Sequence, residues 1–243
     1  MKAIMQDEMT PPARENMGSA ASDDLFGDYD HDHDRERKYN LIAVDPPWKY
    51  RGGKRQGVIG TTANNSYPTM TGAEMAKMDV GPRMAADDAV MLMWTTGPQM
   101  PTALDLIQAW GFRYVTTFLT WIKVAKDGST RLMCGQYTRG NPEFVLLATR
   151  GKVKQFMVDT KKNASSVLYA RVRQHSRKPD AFFKRVAQVF DVANMRKLEM
   201  FARKSRPGWD THGNERTKFD HHHHHQVVGV TKKSKKKNKN RTH

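Results

Sequence analysis

Four consecutive residues, Asp45-Pro46-Pro47-Trp48, combine side chains and backbone groups suited to a flat ring that carries an amine. The Asp45 carboxylate is an acceptor when ionised. The two prolines have no amide hydrogen, so the turn holds carbonyl oxygens rigidly and without competing donors. Trp48 adds a flat aromatic face. A carboxylate and a carbonyl can accept both hydrogens of an exocyclic amine while its ring stacks on the indole. Such an amine is a poor nucleophile because its lone pair is delocalised into the ring. Two acceptors on its hydrogens draw the nitrogen toward sp3 and localise that pair. The same tetrapeptide also reads as a plain turn, with aspartate as turn former and tryptophan as core. The surrounding elements therefore have to decide.

Those elements alternate between strand and helix. Leu41 to Val44 is a short apolar run that leads straight into Asp45, and Ala89 to Trp94 is a second buried strand. Residues 51–66 are glycine-rich and basic and read as a loop, either over the substrate or a plain linker. Thr71 and Glu74 form a capping box that opens a short helix through Met78. Pro98 to Trp110 places Ala103, Leu104, Ile107 and Trp110 on one helical face, with Gly111 closing it. Val115 to Lys123 and Phe144 to Thr149 follow as strands. Pro179 suits a first helical position, with Phe182, Val186, Val189 and Phe190 as the stripe behind it. Leu198 to Ala202 is a late strand. This pattern predicts an α/β fold: a mostly parallel sheet with helices on both faces. In such a sheet a ligand binds just beyond the carboxyl ends of the strands, where Asp45 stands.

Charge and composition narrow the partner. The 243 residues carry a formal net charge of +16, and mean hydropathy is -0.75. Residues 1–39 hold ten acids and five bases, whereas residues 40–219 hold 29 bases and 14 acids. Residues 226–243 hold seven bases and no acid. A basic central domain with a more basic tail points to a polyanion, nucleic acid first. Residues 1–38 read as a disordered acidic arm, 39–219 as the domain, and 220–243 as a disordered histidine-rich and basic tail. His31 and His33 alternate with aspartates and read as part of a solvated run, with no metal site expected. The one cysteine, Cys134, excludes a disulfide framework and a multi-cysteine metal site. It fits a reducing cytoplasm. The sequence has no apolar run of about 18 residues and no apolar leader, so neither a spanning helix nor a secretory signal is expected.

Asp45-Pro46-Pro47-Trp48 at the end of the first strand resembles the catalytic motif of the adenine-N6 methyltransferase family. That family includes the catalytic subunit of the mRNA adenosine methyltransferase and bacterial and phage DNA adenine methylases. Further segments resemble it in order: Ser66-Tyr67-Pro68-Thr69-Met70, Met93-Trp94-Thr95-Thr96, Thr120-Trp121-Ile122-Lys123, Gly140-Asn141-Pro142-Glu143-Phe144, His175-Ser176-Arg177-Lys178-Pro179-Asp180, Leu198 to Arg203, and Trp209 to Glu215. The resemblance covers about residues 40–216. It implies a Rossmann-like fold that binds S-adenosylmethionine, with a permuted motif order in which the catalytic motif precedes the last cofactor-binding strand. Two positions depart from the pattern: Ala202 stands where glycine is frequent, and Glu215 replaces a frequent glutamine.

The resemblance implies roles residue by residue. Asp45, Pro46, Pro47 and Trp48 form the catalytic segment, with Asp45 also close to the cofactor. Tyr67, Glu143 and Trp121 contact the substrate, and Glu143 pairs with Lys178. Lys178 reaches the cofactor's carboxylate or ribose. Arg203, Asn214 and Glu215 hold its ribose and adenine end. The activity implied is methyl transfer to the N6 amine of adenine, on DNA first, with RNA or a non-catalytic partner subunit as the alternatives. A methylase of cytosine or of a protein amide is disfavoured, because those usually carry serine or asparagine before the prolines and tyrosine after them.

Overall fold

A computed structural model describes residues 38–49, 68–133, 135, 137–159, 163–173 and 177–213. The acidic arm apart from Lys38, the glycine-rich loop and the basic tail lie outside the described residues, as do His31, His33 and Cys134.

Seven strands form one sheet: β1 (Tyr39–Val44), β2 (Ala85–Thr95), β3 (Arg113–Val124), β4 (Glu143–Arg150), β5 (Val167–Arg171), β6 (Lys197–Met200) and β7 (Asp210–His212). Their order is β5-β3-β4-β2-β1-β6-β7. β1 lies between β2 and β6, parallel to both, and β6 pairs parallel with β7. β4 alone runs against its neighbours β2 and β3. It reaches its place from β3 without a helical crossover, which only antiparallel neighbours can do. The reversal has a consequence for chemistry. The first residue of β4, Glu143, lies at the edge where the other strands have their last residues, opposite Trp121 of β3.

The central strands read as near-continuous apolar runs because both of their faces are buried. Leu41, Ala43, Val90, Leu92, Val145 and Leu147 pack on one face with Phe182 and Val186 of α4 (Ala181–Val189) and with Phe190 just after it. The alternate residues Ile42, Val44, Met91, Met93 and Leu146 are equally buried. α1 (Gly72–Ala76), α2 (Val80–Met84) and α3 (Met100–Ala109) supply further buried side chains, among them Met75, Val80, Leu106 and Ile107. The Trp110 indole N–H donates to the Met75 carbonyl at 3.0 Å and ties α1 to the end of α3.

Local rules explain the ends. Thr71 and Glu74 form the expected capping box. Gly111, at φ 77°, turns the chain after α3, where a left-handed conformation favours glycine. The apolar stripe of α3 differs from expectation. Leu104 is on the outer face, and Leu106, Ile107 and Ala103 are buried. α3 begins at Met100, after a 3-10 turn over Gly97–Gln99; at about 100° per residue Leu104 points about 100° away from Ala103, whereas Leu106 and Ile107 lie closer to it on either side. Among the described residues, no helix is long and apolar enough to cross a membrane.

Candidate active site

Asp45 follows the last residue of β1, and its amide donates to the Met200 carbonyl of β6 at 3.4 Å. The prolines then turn the chain away from the sheet. Their carbonyls have more donors than the sequence implied. The Trp48 amide donates to the Pro46 oxygen at 2.8 Å, and the Met70 amide to the Pro47 oxygen at 2.8 Å. A carbonyl has two lone pairs, so among the described residues each oxygen has one donor and room for a second.

Trp48 also stands differently from expectation. It is 5% exposed, and its indole N–H donates to the Trp94 carbonyl at 3.2 Å. This is a ring packed against the sheet, not an open stacking face. Replacing a buried tryptophan by alanine costs about 3–5 kcal/mol. Trp48→Ala should therefore lower the thermal melting point by many degrees even without nucleic acid. An unchanged melt would restore the view of Trp48 as a surface platform.

Lys178 stands at the centre of the charged groups. It precedes α4, and its Nζ lies 2.9 Å from Asp45 Oδ1 and 3.2 Å from Glu143 Oε2. Glu143 Oε1 in turn meets Lys123 Nζ at 2.8 Å. Asp45, Lys178, Glu143 and Lys123 thus form a ladder of alternating charge. Burial raises Asp45 above the ordinary carboxylate range, and Lys178 pulls it back only in part. Burial also acts upward on Glu143, but Lys178 and Lys123 outweigh it and hold Glu143 below that range. Burial disfavours the Lys178 ammonium, but the two carboxylates overcome this and raise its pKa.

Two tryptophans lie beneath the ladder. Lys178 Nζ is 5.4 Å from the Trp94 ring centroid, and Lys123 Nζ is 5.4 Å from that of Trp121. The rings meet edge to face at 6.1 Å. Trp121 is 3% exposed and its indole N–H is satisfied by the Ala170 carbonyl at 2.9 Å. It therefore has no open face for a substrate, contrary to the expected contact, and acts as floor. Lys123 lies in a segment that resembles the family, and the resemblance implies no role for it. Its spacing from Trp121 is the signal: two residues along a strand share a face.

A shallow open cleft lies beside Asp45 and Lys178. It is also lined by Phe201, Arg203, Glu199 and Arg206. β6 ends here because Phe201 takes a left-handed conformation, φ 58°, which is uncommon for a residue with a side chain. The turn brings Arg203 to the cleft. Gly213 packs so close that an added Cβ would stand 2.9 Å from Phe201 Cα. The Ala202 amide donates to the His212 carbonyl at 3.1 Å, which closes the turn onto β7. Tyr67, Asn214 and Glu215 lie outside the described residues.

Glu199 and Arg206 in this cleft had no assigned role. Arg206 stacks on Phe183, with its guanidinium carbon 3.5 Å from the ring centroid. Arg206 Nη2 is 3.5 Å from Asp180 Oδ1, and its Nε is 3.6 Å from Glu199 Oε2. That last distance is too long for a hydrogen bond, so both atoms are buried without one. Burial pushes Glu199 up to about 7, from an ordinary 4.5, despite Arg206. The folded state then holds a proton that the unfolded chain has released, between about pH 4.5 and 7. This contribution makes stability fall as pH rises through that window and level off above it. Glu199→Gln should flatten this part of the profile of melting temperature against pH. An unaltered slope would remove Glu199 as its source.

The MT-A70 family profile matches residues 39–215. The chain belongs to the MT-A70 family. Among its relatives is the Type II methyltransferase M.MunI of a Mycoplasma species, 34% identical over 193 residues, 74% of this chain and 78% of that protein. The N(6)-adenosine-methyltransferase subunit METTL3 of Danio rerio is 25% identical over 186 residues, 73% of this chain and 28% of that protein. The mouse N(6)-adenine-specific methyltransferase METTL4 is 24% identical over 198 residues, 76% of this chain and 39% of that protein. The chain thus spans well under half of the METTL3 and METTL4 relatives and most of M.MunI. The charge ladder, Glu199, Arg203 and Arg206 all fall within the MT-A70 match, whereas residues 1–38 and 216–243 fall outside it.

Proposed function

We propose that this MT-A70 protein is an S-adenosylmethionine-dependent methyltransferase that modifies the N6 amine of adenine in DNA. The observation that supports it most is the Asp45 carboxylate at the carboxyl end of β1, joined to Lys178 at 2.9 Å beside the cleft. The preference for DNA comes from M.MunI, a Type II methyltransferase that matches over most of both chains.

The cleft's donor set fits the cofactor. Lys178 and Arg203 suit its carboxylate and hydroxyls, Glu199 and Asp45 accept from hydroxyls, and Phe201 offers an apolar wall. The buried Glu199 Oε2, without a hydrogen bond, is an acceptor that a ribose hydroxyl would satisfy. When bound, S-adenosylmethionine supplies an electrophilic sulfonium methyl group.

The protein's own groups do the rest. With Oδ1 engaged by Lys178, Asp45 Oδ2 accepts one amine hydrogen, and the spare lone pair of the Pro46 carbonyl accepts the other. Together they localise the nitrogen lone pair and fix its direction, and near in-line alignment at about 3–3.5 Å is the main requirement of such a transfer. Nitrogen would take the methyl group as its bond to sulfur breaks and sulfur keeps the electron pair; the amine proton would then pass to Asp45 or solvent, so Asp45 need not be a strong base beforehand. Burial raises the Asp45 pKa, which makes its carboxylate the stronger acceptor, and the Lys178 ammonium favours the ionised form. Glu143 and Lys123 hold Lys178 in place.

The test is mass spectrometry of nucleosides after incubating purified protein and cofactor with duplex DNA, and separately with RNA. N6-methyladenine in DNA supports the reading. Its appearance in RNA alone would transfer the reading to the METTL3-like substrate, and its absence from both would point to a partner subunit.

A further inference from the structure

The connection from β3 to β4 rises from the charge ladder itself, because Lys123 precedes it and Glu143 follows it. Among the described residues, two backbone closures shape it. The first excursion closes when Ala125 N–H donates to the Ser129 carbonyl and Arg131 N–H to the Lys123 carbonyl, both at 2.9 Å. The second closes when Met133 N–H donates to the Gly140 carbonyl at 2.8 Å. Asn141, buried, fastens both: its amide donates to the carbonyls of Lys123 at 2.8 Å and Arg131 at 2.6 Å, and its oxygen accepts from the Lys123 amide at 3.0 Å. Leu132 and Gly140 are therefore each within one residue of a group bonded at the ladder's rim.

What this second turn presents is unusual for a surface. Tyr137 is 96% exposed and Leu132 59% exposed. Arg131 and Arg139 flank them, also exposed. The acid of the connection, Asp127, is already occupied by the amide and hydroxyl of Ser129, at 3.0 and 2.7 Å. Two large apolar side chains between two guanidinium groups, at the rim of a site for a base, match a nucleic-acid strand in charge and in stacking surface.

An adenine inside a duplex cannot reach a recessed carboxylate without leaving the stack, and the gap it leaves must be filled or tolerated. We propose that Leu132 and Tyr137 contact the bases beside the extruded adenine and stand in for its lost stacking, while Arg131 and Arg139 hold the flanking phosphates. This inference rests on the DNA reading above.

The experiment first maps the adenine that the wild-type protein methylates in plasmid DNA. It then compares wild type with Leu132→Ser/Tyr137→Ala on two synthetic duplexes containing that site. In one the target adenine is paired with thymine; in the other it faces an abasic position and is already loosened. Both substituted side chains are exposed, so the melt should not change, nor should affinity for S-adenosylhomocysteine. The variant's kcat/KM should fall roughly 10- to 100-fold on the paired duplex. On the abasic duplex it should come within about threefold of wild type, because less stacking has to be replaced. Full activity on the paired duplex, or an equal loss on both, would overturn the proposal. A wild-type protein that methylates no DNA would instead sink the DNA reading, before any variant is compared.

Discussion

Asp45→Asn should fold normally and lose methyl transfer by roughly two to four orders of magnitude, the range for removing a positioned proton acceptor. The substitution keeps the size and planarity of the side chain. It exchanges one acceptor for an NH2 group that can only donate. If the amide oxygen faces Lys178, the NH2 meets the substrate amine, and two donors then confront each other. If the amide flips, the NH2 meets Lys178 Nζ at the present 2.9 Å spacing, which is repulsive. Either orientation removes the acceptor or its anchor. Tritiated methyl incorporation beside a circular dichroism melt separates chemistry from folding. Wild-type incorporation by Asp45→Asn would remove the carboxylate from the mechanism.

Lys178→Met should impair stability as well as chemistry. Methionine fills the space of the lysine stem, so packing against Trp94 is largely kept. The two carboxylates that shared one ammonium, at 2.9 and 3.2 Å, are left to face each other. Like charges in one buried site cannot both stay ionised, so one of the pair takes up a proton near neutral pH. Removing one partner of a buried ion pair costs about 3–5 kcal/mol. For Asp45, the pKa that burial already raises loses its main opposing influence and rises further. The acid limb of kcat/KM against pH should therefore move upward in the variant, and methyl transfer at pH 7 should fall at least about a hundredfold. Lys178→Arg, which keeps the charge, should retain the acid limb near its wild-type position. An unmoved limb in Lys178→Met would mean that Lys178 does not set the charge state of Asp45.

Much of this arrangement was legible in the sequence, and what was not has identifiable causes. The apolar run at Leu41 to Val44 and the polar turn after it placed Asp45 correctly at a strand end, because periodicity and proline chemistry are local. The Thr71–Glu74 capping box was legible for the same reason. The reversal of β4 was not, since antiparallel and parallel strands in a buried centre share the same apolar run. Yet that reversal brings Glu143 to Lys178 and Lys123. The burial of Trp48 and Trp121 escaped because an aromatic residue reads alike as platform and as core until its neighbours are placed. α2, β5 and β7 are too short or too polar for a pattern to single out. Phe201 has a side chain that argues against its left-handed backbone, so only the close approach of Gly213 reveals why the turn is there.

The position of β1 between β2 and β6 also bears on how the protein comes into being. Asp45 emerges early in synthesis, but its amide bonds to Met200 and its side chain to Lys178, more than a hundred residues later. Pairings of such long range close slowly, because the entropy of the intervening chain opposes them until the last contacts form. A growing polypeptide therefore carries Asp45 before the strand and the cation that hold it have been made. On the function proposed above, catalytic competence arrives with the completed sheet, and methyl transfer itself would report finished folding.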